Sequence, residues 1–494
     1  MARHPPSEFS RNRSRAIGAA LVACTAFGHT AHANGRLPTA QHVVVGPGNA
    51  STTIILRTTF GLLVSEDSGR TFRWICEDAM EYAMQPWDPA IALDATNRIF
   101  VGLADGLMRV SSDRCTYERD PTLQTSPGYV IDLDHDRTGR SIVAITGAGG
   151  GAANRVYRSD DVGASFRALG GGRTDVLFDS LEMAPTDTSR VYLTGVAAAA
   201  GTVLVLRSDD AGATLRDLPF PSAPFRNAYI AAVDPANADR VFVRAAIRAG
   251  IVDAGFEPSG APIVPWVLLR TDDGGQRWRE IARTVGTMTG FAISDDGRTV
   301  WYGSPNRGEG LYRSDDGGDS FRTLGAVRVL CLRQHGGVLY VCANHVVERY
   351  ALGRSLDRGT TIEPLLRFED VPGAFHCPRA SVETSVCALR WPVVRSQLVG
   401  IDGGIVDAGG SDAGIDAGGA ELERPTGCRC GAIGSAHSSG SRTRAALALV
   451  GALIFIRGRK PTAGWTLNRS SHDLAADFLS APNNQNLAPS PPPC

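Results

Sequence analysis

The chain is poor in the features that usually announce a chemistry. Its net charge is only −1, from 50 basic and 51 acidic residues spread along the sequence. That balance leaves no electrostatic footprint for nucleic acid or an anionic membrane surface. Seven Trp and six Met supply neither a stacking platform nor a Met-rich surface. The Cys-x-x-Cys or Cys/His spacing of a metal site is absent, and no cofactor is expected. The glycine-rich GAGGGAAN (147–154) lies between two strand-like runs rather than opening a helix, which argues against a phosphate loop. Ten scattered histidines adjoin no nucleophile motif, so no Ser–His–Asp arrangement can be argued.

What the chain has is one turn, repeated. SDDGGDSF at 314–321 returns as SDDVGASF (159–166), SDDAGATL (208–215), TDDGGQRW (271–278) and SEDSGRTF (65–72). Looser copies are SLDRGTTI (355–362) and SSDRCTYE (111–118), where Cys115 takes the glycine's place. The frame is Ser/Thr-x-Asp-x-Gly-x-x-apolar. The Asp and Ser oxygens can accept backbone N–H groups within the turn. Glycine supplies a positive φ without steric cost, and the last residue re-enters the sheet. The turn aspartates Asp67, Asp113, Asp161, Asp210, Asp273, Asp316 and Asp357 are therefore assigned a structural role. Their recurrence in every copy argues against calcium or acid/base chemistry at the doubled carboxylates.

The boxes start 46, 48, 49, 63, 43 and 41 residues apart, a spacing that marks a repeat architecture. Before each box come two short apolar runs joined by a polar turn, as in IALDATNRIFVGL (91–103) and AAVDPANADRVFVRA (231–245). With one strand entering the box and one leaving it, each repeat has four strands. No part of the repeat region keeps helical apolar spacing for long. The expected fold is all-β, a seven-bladed β-propeller of four-stranded antiparallel blades over residues 34–368. The long step contains RAGIVDAGFEPSGAPIVPW (248–266), read as a loop inserted between two strands of one blade. The strand around His42–Val45 is expected to complete the last blade and close the ring.

These boxes resemble the Asp-box, or bacterial neuraminidase repeat, of sialidases, sortilin-type receptors, some glycoside hydrolases and many bacterial surface propellers. The resemblance covers about residues 40–368 and implies a fold without implying an activity. It puts the box between the third and fourth strands of a blade, at the rim away from the usual active site. The Phe/Tyr-Arg-Ile-Pro motif of the sialidases is missing, and PFRNAY (224–229) does not match it. A glycoside hydrolase needs two facing carboxyl groups. Glu182, Glu309 and Glu383 read as isolated acids in loops or strand starts. Asp132–Asp136 (DLDHD) has its glycine too late for a calcium loop and reads as a strand ending in a polar turn.

The N-terminus carries Arg11, Arg13 and Arg15, the apolar Ala16–Phe27, and Ala31-His32-Ala33. That order reads as a secretory signal over 1–33, cut after Ala33. Export would let cysteines pair. Cys331 with Cys342, Cys377 with Cys387, and Cys76 with Cys115 are the expected disulfides. Residues 369–400 read as a disulfide-pinned appendage, with Val382, Val386 and Leu389 at helical spacing interrupted by Pro392. The Asp-Ala-Gly-rich stretch 401–426 cannot bury enough apolar surface to fold and reads as a linker. Cys428 and Cys430, the apolar Ala445–Ile456 and the Arg457–Lys460 cluster follow. Twelve apolar residues make a helix of about 18 Å, short of a bilayer core. The order over 427–460 resembles the myxobacterial C-terminal sorting signal, which implies processing near the cysteines and display on the cell surface. A polar extension, 461–494, follows it.

The expectation is thus an exported or cell-surface monomer in a Gram-negative envelope, touching a membrane only through its tail. It would be a non-catalytic scaffold binding a protein or polysaccharide, with a carbohydrate-active enzyme as the alternative. Activity belongs in what does not repeat: the 248–266 insertion, the central funnel and the 369–400 appendage.

Overall fold

A computed structural model describes residues 37–400, apart from 49–50, 84, 86–87, 126–127, 148–151 and 249–262. The described residues belong to one compact unit, 1–412. The expected leader with Ala33, the linker, the tail with Cys428 and Cys430, and the extension lie outside them.

Seven four-stranded antiparallel sheets follow one another at residues 40–75, 91–119, 129–173, 176–217, 225–284, 290–325 and 329–366. Within each, the spatial order of strands is their sequence order. The first strands of successive blades touch all the way round, including those of blades 7 and 1. The chain is a seven-bladed β-propeller. Middle strands, covered on both faces by neighbouring blades, are apolar throughout rather than alternating. Gly61–Ser65, Ile99–Leu103 and Ile142–Gly147 are buried along their whole lengths. Fourth strands such as Arg216–Asp217 and Arg322–Gly325 form the exposed outer edge. The long insertion leaves blade 5 between Ile247 and Trp266, its second and third strands.

Ring closure differs from the expected arrangement. The strand Ala40–Val45 is the first strand of blade 1 and pairs with Ile54–Thr58, while blade 7 uses four strands of its own. No strand is exchanged. Closure is made instead at the outer edge, where the chain leaving blade 7 returns along blade 1. Trp74 N–H donates to Gly373 O at 2.9 Å, and Trp74 forms a parallel bridge with Ala374. The fourth strand of blade 1 accordingly carries two buried apolar residues, Trp74 and Ile75.

Two of the three expected cysteine pairings are corrected. Cys76 bonds Cys387 and Cys115 bonds Cys377; Cys331 and Cys342 pair as expected, directly opposite each other on adjacent strands. Cys115 sits in a third-to-fourth-strand turn of blade 2, whereas Cys76 follows the fourth strand of blade 1. In antiparallel sheets those are opposite ends, so the two cannot meet. Each reaches the appendage beside it. The appendage is one continuous helical rod, a π-turn (Glu383–Cys387) running into a helix (Ala388–Gly400). Pro392 lies inside the helix, one turn beyond the π-turn, where proline offers no N–H to the preceding turn. The buried face is Cys387, Trp391, Val394 and Leu398, while Leu389 is exposed. Of the residues expected at helical spacing, Val382 and Val386 pack against the core, partly buried, and only Leu389 departs from it.

Candidate functional site

Each of the seven boxes forms the turn between the third and fourth strands of its blade. In six, the first hydroxyl donates to the box aspartate and accepts from the glycine N–H; at Ser208 these distances are 2.7 Å to Asp210 and 2.8 Å from Gly212. The aspartate then accepts from the backbone and side chain two residues past the glycine, as Asp210 does from Thr214 at 2.8 and 2.7 Å. The same pattern surrounds Asp67, Asp161, Asp273, Asp316 and Asp357. The Ser165 hydroxyl bond holds the Asp161 carboxyl down at about 2, and the Arg277 side chain does the same for Asp273. Asp113 keeps its bond from Ser111, but Ser111 Oγ accepts from Thr116 N–H because Cys115 is turned into a disulfide.

The first aspartate of the doublet has a separate task. Asp160, Asp209, Asp272 and Asp315 pair with Arg158, Arg207, Arg270 and Arg313 on their own third strands. Those arginines reach the next blade: Arg207 donates to Gly274 O at 3.2 Å, Arg270 to Gly317 O at 2.6 Å and Arg313 to Arg358 O at 3.0 Å. The recurrent Arg-Ser/Thr-Asp-Asp was visible in the sequence, but its arginine had been left outside the motif.

The candidate site is the funnel on the ring axis, a cavity of about 600 Å³ walled by the first strands of all seven blades. Because alternate residues of a strand face opposite ways, Asp132 and Asp134 both enter it, while Leu133 between them is buried. Strand, not calcium loop, is what the DLDHD stretch forms. The two carboxylates stitch blade 3 to blade 4. Asp132 accepts from Leu133 N–H and Leu181 N–H at 2.9 Å, and Asp134 from His135 N–H and Met183 N–H at 2.7 Å. Ser180 Oγ continues the stitching by accepting Ile230 N–H at 2.8 Å, and Thr289 donates to Val329 O at 2.6 Å.

Glu182, expected to be alone, lies within the strand Val176–Ala184 and shares a hydrogen bond with Asp134. Burial, and then the charge of Asp134, push its pKa well up. Burial likewise raises Asp132 to about 7 despite its two N–H donors, and raises Asp179 to about 6. The other isolated acids also have partners: Glu309 accepts Ser304 Oγ–H at 2.6 Å, and buried Glu383 accepts the Tyr117 hydroxyl. Arg57, Arg244 and Arg333, with His42, His135 and His335, line the same cavity. Loss of bulk solvent, then Arg57, Arg333 and Arg244, lower the pKa of His42. Sequence reasoning missed this gathering because its members come from blades 1, 3, 4, 5 and 7, with no local spacing to mark them. Among the described residues, no group of three or more His, Cys, Asp and Glu is placed to hold a metal ion, and no helix is long and apolar enough to cross a membrane.

No protein-family model and no curated protein matches the chain. Solved structures similar to it include a GH74 enzyme of Niastella koreensis, at 14% identity and a TM-score of 0.29 over 64% of this chain and 61% of that one. The chain thus spans about three fifths of that enzyme's length. Others are the hydrazine synthase of Kuenenia stuttgartiensis (11%, TM-score 0.44, 62% and 93%) and the Cps50 (Swd1) β-propeller domain of Myceliophteria thermophila (9%, TM-score 0.38, 62% and 93%). At such identities the likeness is one of fold.

Proposed function

We propose that this is a non-catalytic binding scaffold, an Asp-box propeller exported to the cell surface or the medium, whose funnel receives a protein or polysaccharide partner. One observation carries the non-catalytic reading. All four carboxylate oxygens of Asp132 and Asp134 are committed to backbone N–H groups of two blades. Carboxylates so engaged tie neighbouring blades together, a structural task that the ring itself requires. The Glu182–Asp134 pair is in direct hydrogen-bond contact, closer than the roughly 5–9.5 Å separations of glycosidase carboxyl pairs. Three disulfides support an oxidising compartment, in keeping with a leader over 1–33, a linker over 401–426 and a sorting-type tail over 427–460.

A carbohydrate-active enzyme is the second reading, favoured by one feature: Glu182 lines the funnel, and burial with the charge of Asp134 pushes its pKa up, the direction a general acid needs. Screening the full chain against glycan arrays and chromogenic glycosides separates the two. Binding without turnover is expected. Hydrolysis abolished by Glu182→Gln would replace the scaffold reading with the enzyme.

A further inference from the structure

Seven carboxyl side chains and four arginines line the funnel, so acids are in excess there. Most of those acids are engaged. Backbone amides hold Asp132 and Asp134, Glu182 shares a hydrogen bond with Asp134, Asp136 accepts from Thr138 and Arg140 N–H, and Asp295 accepts from the Gln334 amide. Asp179 is the exception. Among the described residues it makes no hydrogen bond or ion pair, and its Oδ2 is sealed from solvent. The half-buried side chain lines the cavity, so Oδ1 is the oxygen the cavity reaches. Burial alone raises its pKa, to about 6, and no cation offsets it.

Backbone geometry sets Asp179 apart as well. Between the first two strands of blade 4, Phe178 faces Gly195 and Ser180 faces Thr194, so Asp179 is the extra residue of a β-bulge. A bulge breaks the ladder at one residue and re-aims its side chain. Two tyrosines stand near enough to feel the carboxylate's charge: Tyr129 at the start of blade 3 and Tyr229 on the first strand of blade 5. Tyr229 is fixed in place, because Asn227 donates to its hydroxyl at 3.1 Å and its ring stacks on Trp266 with centroids 6.0 Å apart. Arg226 and Arg244 also act on Tyr229, but neither acts on Asp179.

An uncompensated carboxylate in a protein wall is costly, and the fold supplies nothing to relieve it. An external cation relieves it, and aromatic rings beside the carboxylate favour a cation too. The site's form selects among cations. With a single oxygen within reach, the parallel fork of a guanidinium is not met in full, whereas an ammonium is a point charge that needs one acceptor. A recessed carboxylate also favours a charge on a slender, flexible stem over one mounted directly on a sugar ring.

We propose that the funnel captures a lysine side chain of a protein partner, its ammonium seated on Asp179 beside Tyr129 and Tyr229. The proposal rests on the binding-scaffold reading and names the partner's chemistry.

Calorimetric titration of the full chain at pH 7 tests it with four probes: capped trilysine, the same peptide acetylated at Nζ, capped triarginine, and a glucosamine trisaccharide. Trilysine is expected to bind, more weakly as salt rises, with each of the other probes roughly tenfold weaker or worse. Asp179→Asn should cost roughly tenfold in trilysine affinity without lowering the melting temperature, a combination that loss of fold does not produce. Equal binding of the acetylated peptide, of triarginine or of the glucosamine trimer overturns the inference, as does full affinity in Asp179→Asn. The acetylation comparison uses the unaltered protein, so it decides the matter even if the variant misfolds. Should glycans bind while trilysine does not, the lysine inference falls and the scaffold reading stands; turnover of a glycoside would sink the scaffold reading instead.

Discussion

At Ser314 a single hydroxyl organises a whole turn. Its Oγ donates to Asp316 and accepts from Gly318 N–H at 2.8 Å, and the residue is 1% exposed. Removing the oxygen strands a buried N–H, which costs about 1–3 kcal/mol. Asp316 is exposed, so water can replace part of what its carboxylate does. Ser314→Ala should therefore lower unfolding free energy in urea by more than Asp316→Ala does. The reverse order would show that the carboxylate, not the hydroxyl, holds the turn. The residue before the box glycine is a second pressure point, because it too takes a left-handed conformation. At Val162 φ is +61°, which disfavours a β-branched side chain. Its N–H donates to Arg140 O and its carbonyl accepts from Arg98, bonds that any residue would keep. Val162→Asn should stabilise the protein by about 0.5–1 kcal/mol, read as a higher urea midpoint with unchanged slope.

Among the elements, the appendage does what an exchanged strand would otherwise do. It covers the edge of blade 1, packs Trp391 against Trp74 with tilted rings 5.3 Å apart, and carries one half of two disulfides. An open outer edge is a site for unwanted pairing, and covering it removes that hazard. The Cys76–Cys387 bond spans 311 residues and Cys331–Cys342 only 11. In the chain-entropy view the longer loop constrains the unfolded chain more, about 6 kcal/mol against about 3. Replacing Cys76 and Cys387 with Ala should thus lower the melting temperature more than replacing Cys331 and Cys342. The strands and boxes were legible beforehand because each is a local pattern: apolar run, polar turn, fixed glycine. Cysteine partners were legible only for Cys331 and Cys342, which face each other across one hairpin. The others depend on where the chain returns after seven blades, which no local spacing encodes. The expected helical spacing held for Val382 and Val386, which pack against the core, but not for Leu389. A π-turn shifts the phase of every later residue, so Leu389 rotates to solvent and Trp391 to the core.

For the whole molecule, the seven-fold ring followed from counting boxes, but the funnel did not, since it is assembled from one or two residues per blade. Its stability should depend on pH through opposed groups. Asp132 and Asp179 have folded pKa values raised above those of the unfolded chain, so they favour folding at low pH and lose that contribution as pH climbs. His42, His135 and His335 are lowered chiefly by burial, so they oppose folding as pH falls below their unfolded value. The two sets run against each other between roughly pH 4 and 6.5, and the profile of the unaltered protein cannot separate them. A variant at Asp179 can. Burial alone raises this carboxyl, to about 6; Tyr129 and Tyr229 feel its charge, and its Oδ2 is sealed without a partner. Asp179→Asn removes the ionisation while nearly preserving shape. Above pH 7 the wild-type carboxylate is charged in both states and bears its full desolvation cost when folded, so the variant should be the more stable, by roughly 1 kcal/mol after allowing for water in the funnel. As pH falls through 6 towards 4, the folded carboxyl takes up its proton first and the advantage should shrink to nothing. Urea unfolding at pH 8, 6 and 4 reads the difference directly. A gap that stays constant across that range would mean that Asp179 keeps its charge within the fold, and that the funnel is far better hydrated than its walls imply.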